Sequence, residues 1–141
     1  MNLLMTRRIL ALAIGTALAV AGCVSTDENK VDNVRLSPTK AREWLAKNPD
    51  SYLLVDARLP ESFARERIPG AVRLDTRDFD ENDPDPKFKA YDAIIVYGEN
   101  PSFGRANVLT KRFLAAGLDV YLIDGGLKAW RDAGLPIEQP K

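Results

Sequence analysis

The sequence predicts one α/β domain, built on a mostly parallel sheet with helices on both faces. Helical and strand patterns alternate from residue 37 onward, as they do when each strand is followed by a crossover helix. The short strand candidates are apolar at nearly every position, which is typical of strands buried on both faces. The chain has 141 residues, of which 45% are apolar, so its length and composition suit a single core.

Capping residues and apolar spacing predict four helices. Ser37 is a typical N-cap and Pro38 suits the first helical position, and the apolar residues that follow recur at helical spacing. In the third helix, Val108, Leu109 and Phe113 are predicted to point inward. The four predicted helices cover residues 37–47, 60–67, 105–116 and 127–133.

Short apolar runs predict four strands. Residues 93–97 (AIIVY) form the most β-branched run and are predicted to be the central strand. The other predicted strands are residues 52–55, 71–74 and 120–123. The acidic stretch at residues 75–85 is predicted to be a loop, and it fails as an EF-hand because Asp83 stands where that loop needs glycine.

The composition excludes several classes of function. The chain has no histidine, which removes Ser-His-Asp catalysis and imidazole metal sites. Its single cysteine cannot form an internal disulfide or a cysteine-rich metal site. With 20 basic and 20 acidic residues, the chain is not expected to bind nucleic acid by bulk electrostatics. No cofactor and no metal are predicted.

The first 23 residues predict export and lipid anchoring. Arg7 and Arg8 precede an apolar run that is too short to span a bilayer, so residues 1–22 are predicted to be a signal peptide. The run ends in Val-Ala-Gly-Cys, which resembles the lipobox of bacterial lipoproteins. That resemblance implies cleavage after Gly22 and acylation of Cys23. The alternative is an ordinary secretory signal with a coincidental cysteine.

Lipidation would place the chain in the cell envelope, anchored to membrane lipid through acylated Cys23. Val24 follows the cysteine, so in a Gram-negative cell the resemblance implies the outer membrane, facing the periplasm. Residues 24–36 are polar and show no apolar periodicity, and we predict that they form a flexible tether.

Three segments together resemble the rhodanese family. They are LVDAR with PESF at residues 54–63, IPGA at residues 68–71, and LIDGGLKAW with GLP at residues 122–136. The resemblance implies a five-stranded rhodanese-like domain over residues 37–139. It also shows a departure, because Arg67 stands where the family usually has histidine.

Most residues that carry the resemblance have a structural interpretation. Gly125 and Gly126 indicate a positive φ or a close approach of backbone. Trp130 is predicted to lie in the core. Asp56 and Arg58, at the end of a strand, are predicted to hydrogen-bond neighbouring loops.

The family's chemistry lies in the loop after the central strand. Active members carry a cysteine directly after this strand, where backbone N–H groups and a helix N-terminus stabilise a thiolate or persulfide. Here Gly98 stands in that position, Pro101 removes an N–H donor, and Glu99 adds a negative charge. We therefore predict no catalytic residue. The candidate ligand-binding residues of this loop are Gly98, Glu99, Asn100, Ser102, Gly104 and Arg105.

Three hypotheses remain open. The first is a binding or accessory module without sulfurtransferase activity, with an envelope protein as partner. The second is an enzyme of altered chemistry that uses an anion site at Arg105 with Glu99 or Asp56, or that keeps a residual sulfurtransferase-related activity. Ser102 has no evident base as a substitute nucleophile. The third hypothesis is a passive structural lipoprotein.

Overall fold

The computed structural model describes residues 27–102 and 104–140 of the chain. This part of the chain contains five β-strands and five α-helices, and two short 3₁₀ turns lie at Thr76–Asp78 and Pro86–Ala90. In chain order, the helices and strands are α1 (Asp27–Asp32), β1 (Arg35–Leu36), α2 (Pro38–Lys47), β2 (Tyr52–Asp56), α3 (Pro60–Arg65), β3 (Val72–Arg73), β4 (Ala93–Tyr97), α4 (Gly104–Ala115), β5 (Val120–Ile123) and α5 (Gly126–Asp132).

The five strands form one sheet in the order β1-β5-β4-β2-β3, and every neighbouring pair is parallel. The predicted central position of residues 93–97 is confirmed, because β4 lies between β5 and β2. The sheet is wholly parallel rather than mostly parallel. All five strands therefore end at the same edge of the sheet, and β2 and β4 end there together because Asp56 is paired with Tyr97.

Alternate residues of β4 contribute to two separate cores. Ile94 and Val96 belong to the core beneath α1 and α4, whereas Ile95 and Tyr97 belong to the core beneath α2 and α5. All four side chains are buried. Helices therefore cover both faces of the sheet, as the apolar strands predicted.

The prediction of a flexible tether over residues 24–36 is wrong for residues 27–36. These residues form α1 and β1, and β1 pairs with β5 at the edge of the sheet. The apolar residues that hold this segment are too few to show a periodicity: Val31 is 4% exposed and Leu36 is 7% exposed. The sequence predicted that the folded domain begins at residue 37, but the structure shows that it begins earlier, with α1.

Smaller corrections concern the ends of elements and one helix face. The helix predicted at residues 60–67 ends at Arg65, and the strand predicted at residues 71–74 is reduced to Val72–Arg73. In α4, Val108 is 48% exposed, so its predicted inward position is wrong. The buried face of α4 follows helical spacing and consists of Ala106, Leu109, Thr110 and Phe113.

No helix within the described ranges is long and apolar enough to cross a membrane. The same residues contain no group of three or more acidic or cysteine side chains arranged to hold a metal ion. Cys23 and the predicted signal peptide lie outside the described residues.

Candidate functional site

The candidate loop begins where β4 ends, at the edge of the sheet where all five strands terminate. In open α/β sheets this edge is where ligands bind. Gly98 directly follows Tyr97 and is buried. Gly98 does not adopt a positive φ, so the backbone at this position does not require glycine.

The start of the loop is docked on the N-terminus of α5. The backbone N–H of Leu127 donates to the carbonyl oxygen of Gly98 at 2.8 Å, and that of Lys128 donates to the carbonyl oxygen of Glu99 at 2.9 Å. The first N–H groups of a helix have no partner within the helix, so the loop satisfies two of them. These donors therefore bind the loop itself.

Gly126 makes this docking possible. Its φ is +62°, and a Cβ at this position would lie 2.6 Å from the carbonyl oxygen of Gly98 and 3.0 Å from the amide nitrogen of Asn100. At Gly125, where φ is +74°, a Cβ would lie 2.4 Å from the Cβ of Ala129. The predicted positive φ is confirmed at both glycines, and the predicted close approach of backbone is confirmed at Gly126.

Arg58 ties the loop to the end of β2. Its guanidinium is 1% exposed and bonds both carboxylate oxygens of Asp56, with its Nη2 2.8 Å from Oδ2 and its Nε 3.0 Å from Oδ1. Its Nη1 donates to Oε2 of Glu99 at 2.8 Å, and its Nη2 also donates to the carbonyl oxygen of Glu66. We call Asp56, Arg58 and Glu99 the Arg58 cluster. The predicted bonding to neighbouring loops is confirmed for Arg58, whereas the Asp56 carboxylate bonds Arg58 itself.

The Arg58 guanidinium keeps its charge. Burial opposes the charge on the Arg58 guanidinium, but hydrogen bonds to Asp56 and Glu99 outweigh that cost and raise its pKa. Burial, with the nearby charge of Asp56, raises the pKa of the Tyr97 hydroxyl. That hydroxyl accepts a hydrogen bond from the N–H of Ile68 at 3.2 Å. Neither group is therefore poised to exchange a proton near neutral pH.

Beyond Glu99, the described loop residues 100–102 and 104 are exposed. The Oδ1 of Asn100 accepts a hydrogen bond from the N–H of Ser102 at 3.0 Å, which closes a short turn. Asn100, Ser102 and Gly104 face solvent, and α4 begins at Gly104.

Arg105, which follows the loop at the start of α4, takes part in a second cluster. Its Nη1 lies 3.6 Å from Oδ2 of Asp75, which is also 3.1 Å from Nη2 of Arg73. The Nε of Arg77 lies 3.2 Å from Oδ1 of the same carboxylate. We call Arg73, Asp75, Arg77 and Arg105 the Asp75 cluster. Three cations surround one carboxylate that is 4% exposed.

The structure thus separates residues that the sequence grouped together. Glu99 and Asp56, the carboxylates suggested as partners of Arg105 in an anion site, both pair with Arg58. Arg105 pairs with Asp75. The sequence analysis did not predict that Asp75 is buried and pairs with three arginines. The available signal was its position just after β3, at the same edge of the sheet as the loop.

Arg67 has a structural role at the position where the resemblance expects histidine. Its Nη2 donates to Oε1 of Glu138 at 2.7 Å, and the two residues also pair through their backbones as an antiparallel bridge. The guanidinium lies 4.6 Å from the ring centroid of Phe63. Arg67 therefore fastens the C-terminal segment to the turn after α3.

The comparison with known families agrees with this geometry. The family model described as a rhodanese-like domain matches residues 37–133. The chain belongs to the rhodanese-like domain family. The match begins after α1 and β1, so these two elements lie outside the part of the chain that the model covers.

Several named relatives are sulfurtransferases. The chain is 31% identical over 117 residues to thiosulfate sulfurtransferase YnjE of Escherichia coli, a match that covers 71% of this chain but only 26% of YnjE. It is also 31% identical to thiosulfate sulfurtransferase GlpE of Pseudomonas entomophila, over 69% of this chain and 84% of that protein.

Solved structures show the same fold. The rhodanese-like domain of the Alr3790 protein from Anabaena superposes with a TM-score of 0.60 at 20% identity, covering 75% of this chain and 79% of that one. Within this rhodanese-like domain, the loop after β4 is the position at which the resemblance expects the catalytic cysteine, and Gly98 occupies it.

Proposed function

We propose that this protein is a lipid-anchored rhodanese-like module of the cell envelope that binds a partner and does not transfer sulfur. The observation that carries the proposal is Gly98, which stands where active members of the family carry the nucleophile. The one cysteine of the chain, Cys23, precedes the folded domain, and the resemblance to a lipobox implies that its sulfur is acylated. The domain itself therefore has no thiol to carry a persulfide.

The contacts of the loop support this interpretation. A persulfide pocket needs several N–H groups directed at one point. Here the N–H groups of Leu127 and Lys128 donate to loop carbonyls, and Pro101 contributes no N–H. Glu99, the residue after Gly98, brings a carboxylate into the loop, and Arg58 binds that carboxylate at 2.8 Å. The polar groups around the loop thus hold the loop in place, which favours a structural role over the binding of an anion.

The decisive experiment compares two purified proteins in a thiosulfate:cyanide assay. The wild-type protein is expected to show no turnover above the uncatalysed rate. Gly98→Cys restores the thiol at a position whose φ accepts a side chain, and a gain of even slight turnover would show that only the nucleophile is missing. Turnover by the wild type at rates comparable with those of GlpE would overturn the proposal.

The anchoring part of the proposal has its own test. Metabolic labelling with palmitate is expected to label the wild-type chain but not Cys23→Ser. Labelling that persists in Cys23→Ser, or its absence in the wild type when a known lipoprotein of the same cells is labelled, would contradict lipidation at this residue.

A further inference from the structure

The short connection between Cys23 and the domain limits how the domain can be oriented relative to the membrane. This inference rests on the proposed lipid anchor. Because α1 begins at Asp27, only residues 24–26 separate it from the anchored residue. Four Cα-to-Cα steps span at most about 14 Å. A helix–sheet–helix domain is roughly 30 Å thick, at about 10 Å per layer. The bilayer can therefore be reached only from the side of the domain that carries α1.

Helix α1 is fixed to one face of the domain. Val31 is 4% exposed and belongs to the core beneath α4, and α1 packs against α4. Just after α1, Arg35 donates to Asp32 at 2.9 Å and to Asp124, at the end of β5, at 3.1 Å. The anchor therefore leads to the α4 face, and α2 and α5 lie on the opposite face of the sheet.

The surface between α1 and α4 contains two clefts that are lined mainly by charged side chains. Two adjoining clefts of about 170 and 260 Å³ share Lys111 as a lining residue. Their charged lining side chains comprise four cations and two carboxylates: Lys30, Arg35, Lys111, Arg112, Asp32 and Glu81. Asp32 and Glu81 orient Arg35 and Arg112. Lys111 lines both clefts, and its ammonium group suits the phosphate groups of phospholipids.

We propose that the α1–α4 face lies against the bilayer and that the cations of its two clefts contact phospholipid headgroups. Lys111 is central because both clefts include it. The two clefts also include Asp32 and Glu81, so the contact depends on headgroup phosphate close to the anchor and not on a large basic patch. The opposite face, with α2 and α5, then points away from the membrane toward soluble partners.

The test uses the full acylated protein in vesicles of phosphatidylethanolamine and phosphatidylglycerol. A fluorophore is attached at Val108→Cys on the exposed side of α4, or at Lys47→Cys at the end of α2 as the matched control. Lipids that carry a quencher in the headgroup are expected to quench the Val108 position several-fold more than the Lys47 position. Lys111→Gln is expected to reduce the population held against the bilayer by up to about fivefold, and Lys47→Gln is expected to leave it unchanged.

The outcomes separate this inference from the anchor on which it rests. If the protein floats with the vesicles but the two labels are quenched equally, or Lys47 more, the orientation is wrong while the anchor holds. If the Lys111→Gln protein is quenched as strongly as the wild type, the headgroup contact is wrong. If the acylated protein does not float with vesicles, both the anchor and the orientation fail.

Discussion

The Arg58 cluster and the Asp75 cluster lie at the same end of the sheet but differ in burial and in charge balance. In the Arg58 cluster, one buried cation serves two carboxylates, and it bonds Asp56 through two nitrogens. In the Asp75 cluster, one buried carboxylate serves three cations, one of which is 84% exposed. The first arrangement holds β2 and the loop together in the interior. The second has more cations than carboxylates, and one of its cations, Arg77, is exposed to solvent. The loop after β4 contributes Glu99 to the first cluster and leads to Arg105 in the second.

Because Arg58 is buried and Arg77 is exposed, removing each cation is expected to change the free energy of unfolding by very different amounts. Arg58→Ala leaves Asp56 buried without its partner and is expected to lower the free energy of unfolding by about 3–5 kcal/mol. Arg77→Ala removes an exposed cation, and Asp75 keeps Arg73 and Arg105, so its effect is expected to be small by comparison. Urea denaturation followed by circular dichroism measures both. Equal losses in the two variants would remove the distinction between the clusters.

The docking of the loop predicts the next largest effect. Gly126→Ala is expected to cost about 1–3 kcal/mol from its positive φ, with a further loss from the clash with the Gly98 carbonyl. Gly134→Ala is the matched control, because Gly134 has a φ of +67° and a Cβ there meets nothing within 4 Å. Thermal unfolding compares the two. A Gly126→Ala protein no less stable than Gly134→Ala would show that the loop is not held against α5.

The link between the Arg58 cluster and the loop predicts a smaller effect. Glu99→Gln removes an ion pair whose acidic partner is 37% exposed, while Arg58 keeps Asp56. The expected loss of unfolding free energy is about 1 kcal/mol or less. Amide hydrogen exchange is expected to quicken at Gly98 and Glu99 and to stay unchanged in β5. Unchanged exchange at Gly98 and Glu99 would mean that the carbonyl contacts alone hold the loop.

The Asp75 cluster predicts a dependence on acid. Hydrogen bonds from the Arg77 side chain and backbone, together with the charge of Arg105, lower the pKa of the Asp75 carboxyl well below its ordinary value of 3.8. A lowered pKa stabilises the folded state above the ordinary value, and this stabilisation is lost as the pH falls toward the folded-state pKa. The stability difference between wild type and Arg77→Gln is therefore expected to be constant above about pH 5 and to shrink below pH 4. A difference that does not change with pH would contradict this origin.

The layered fold could be predicted from the sequence because its signals are local. The strand at residues 93–97 is β-branched throughout, and the Ser37-Pro38 start of α2 is a capping pattern. The failure at residues 27–36 has a physical reason. A two-residue strand and one buried valine carry no periodicity, and their stability comes from pairing with β5 and packing against α4.

A loop lies between β4 and α4, as predicted, but the partners of its residues were not predictable. Nothing local to Glu99 shows that it reaches Arg58, which lies 41 residues earlier in the chain. In the same way, the pairing of Arg105 with Asp75 depends on how β3 and α4 meet in space. Sequence reasoning finds which residues lie at an edge of a parallel sheet. It does not find which of them neutralise each other.

The smallest strand of the fold has a practical consequence for where the protein can be cut. A fragment that starts at Ser37, the first residue matched by the family model, lacks β1 and leaves β5 as an open edge of the sheet. Exposed strand edges pair readily with those of other molecules. Such a fragment is expected to aggregate even where its fold survives. By pairing with β5, Arg35 and Leu36 thus prevent that strand from pairing with a strand of another molecule.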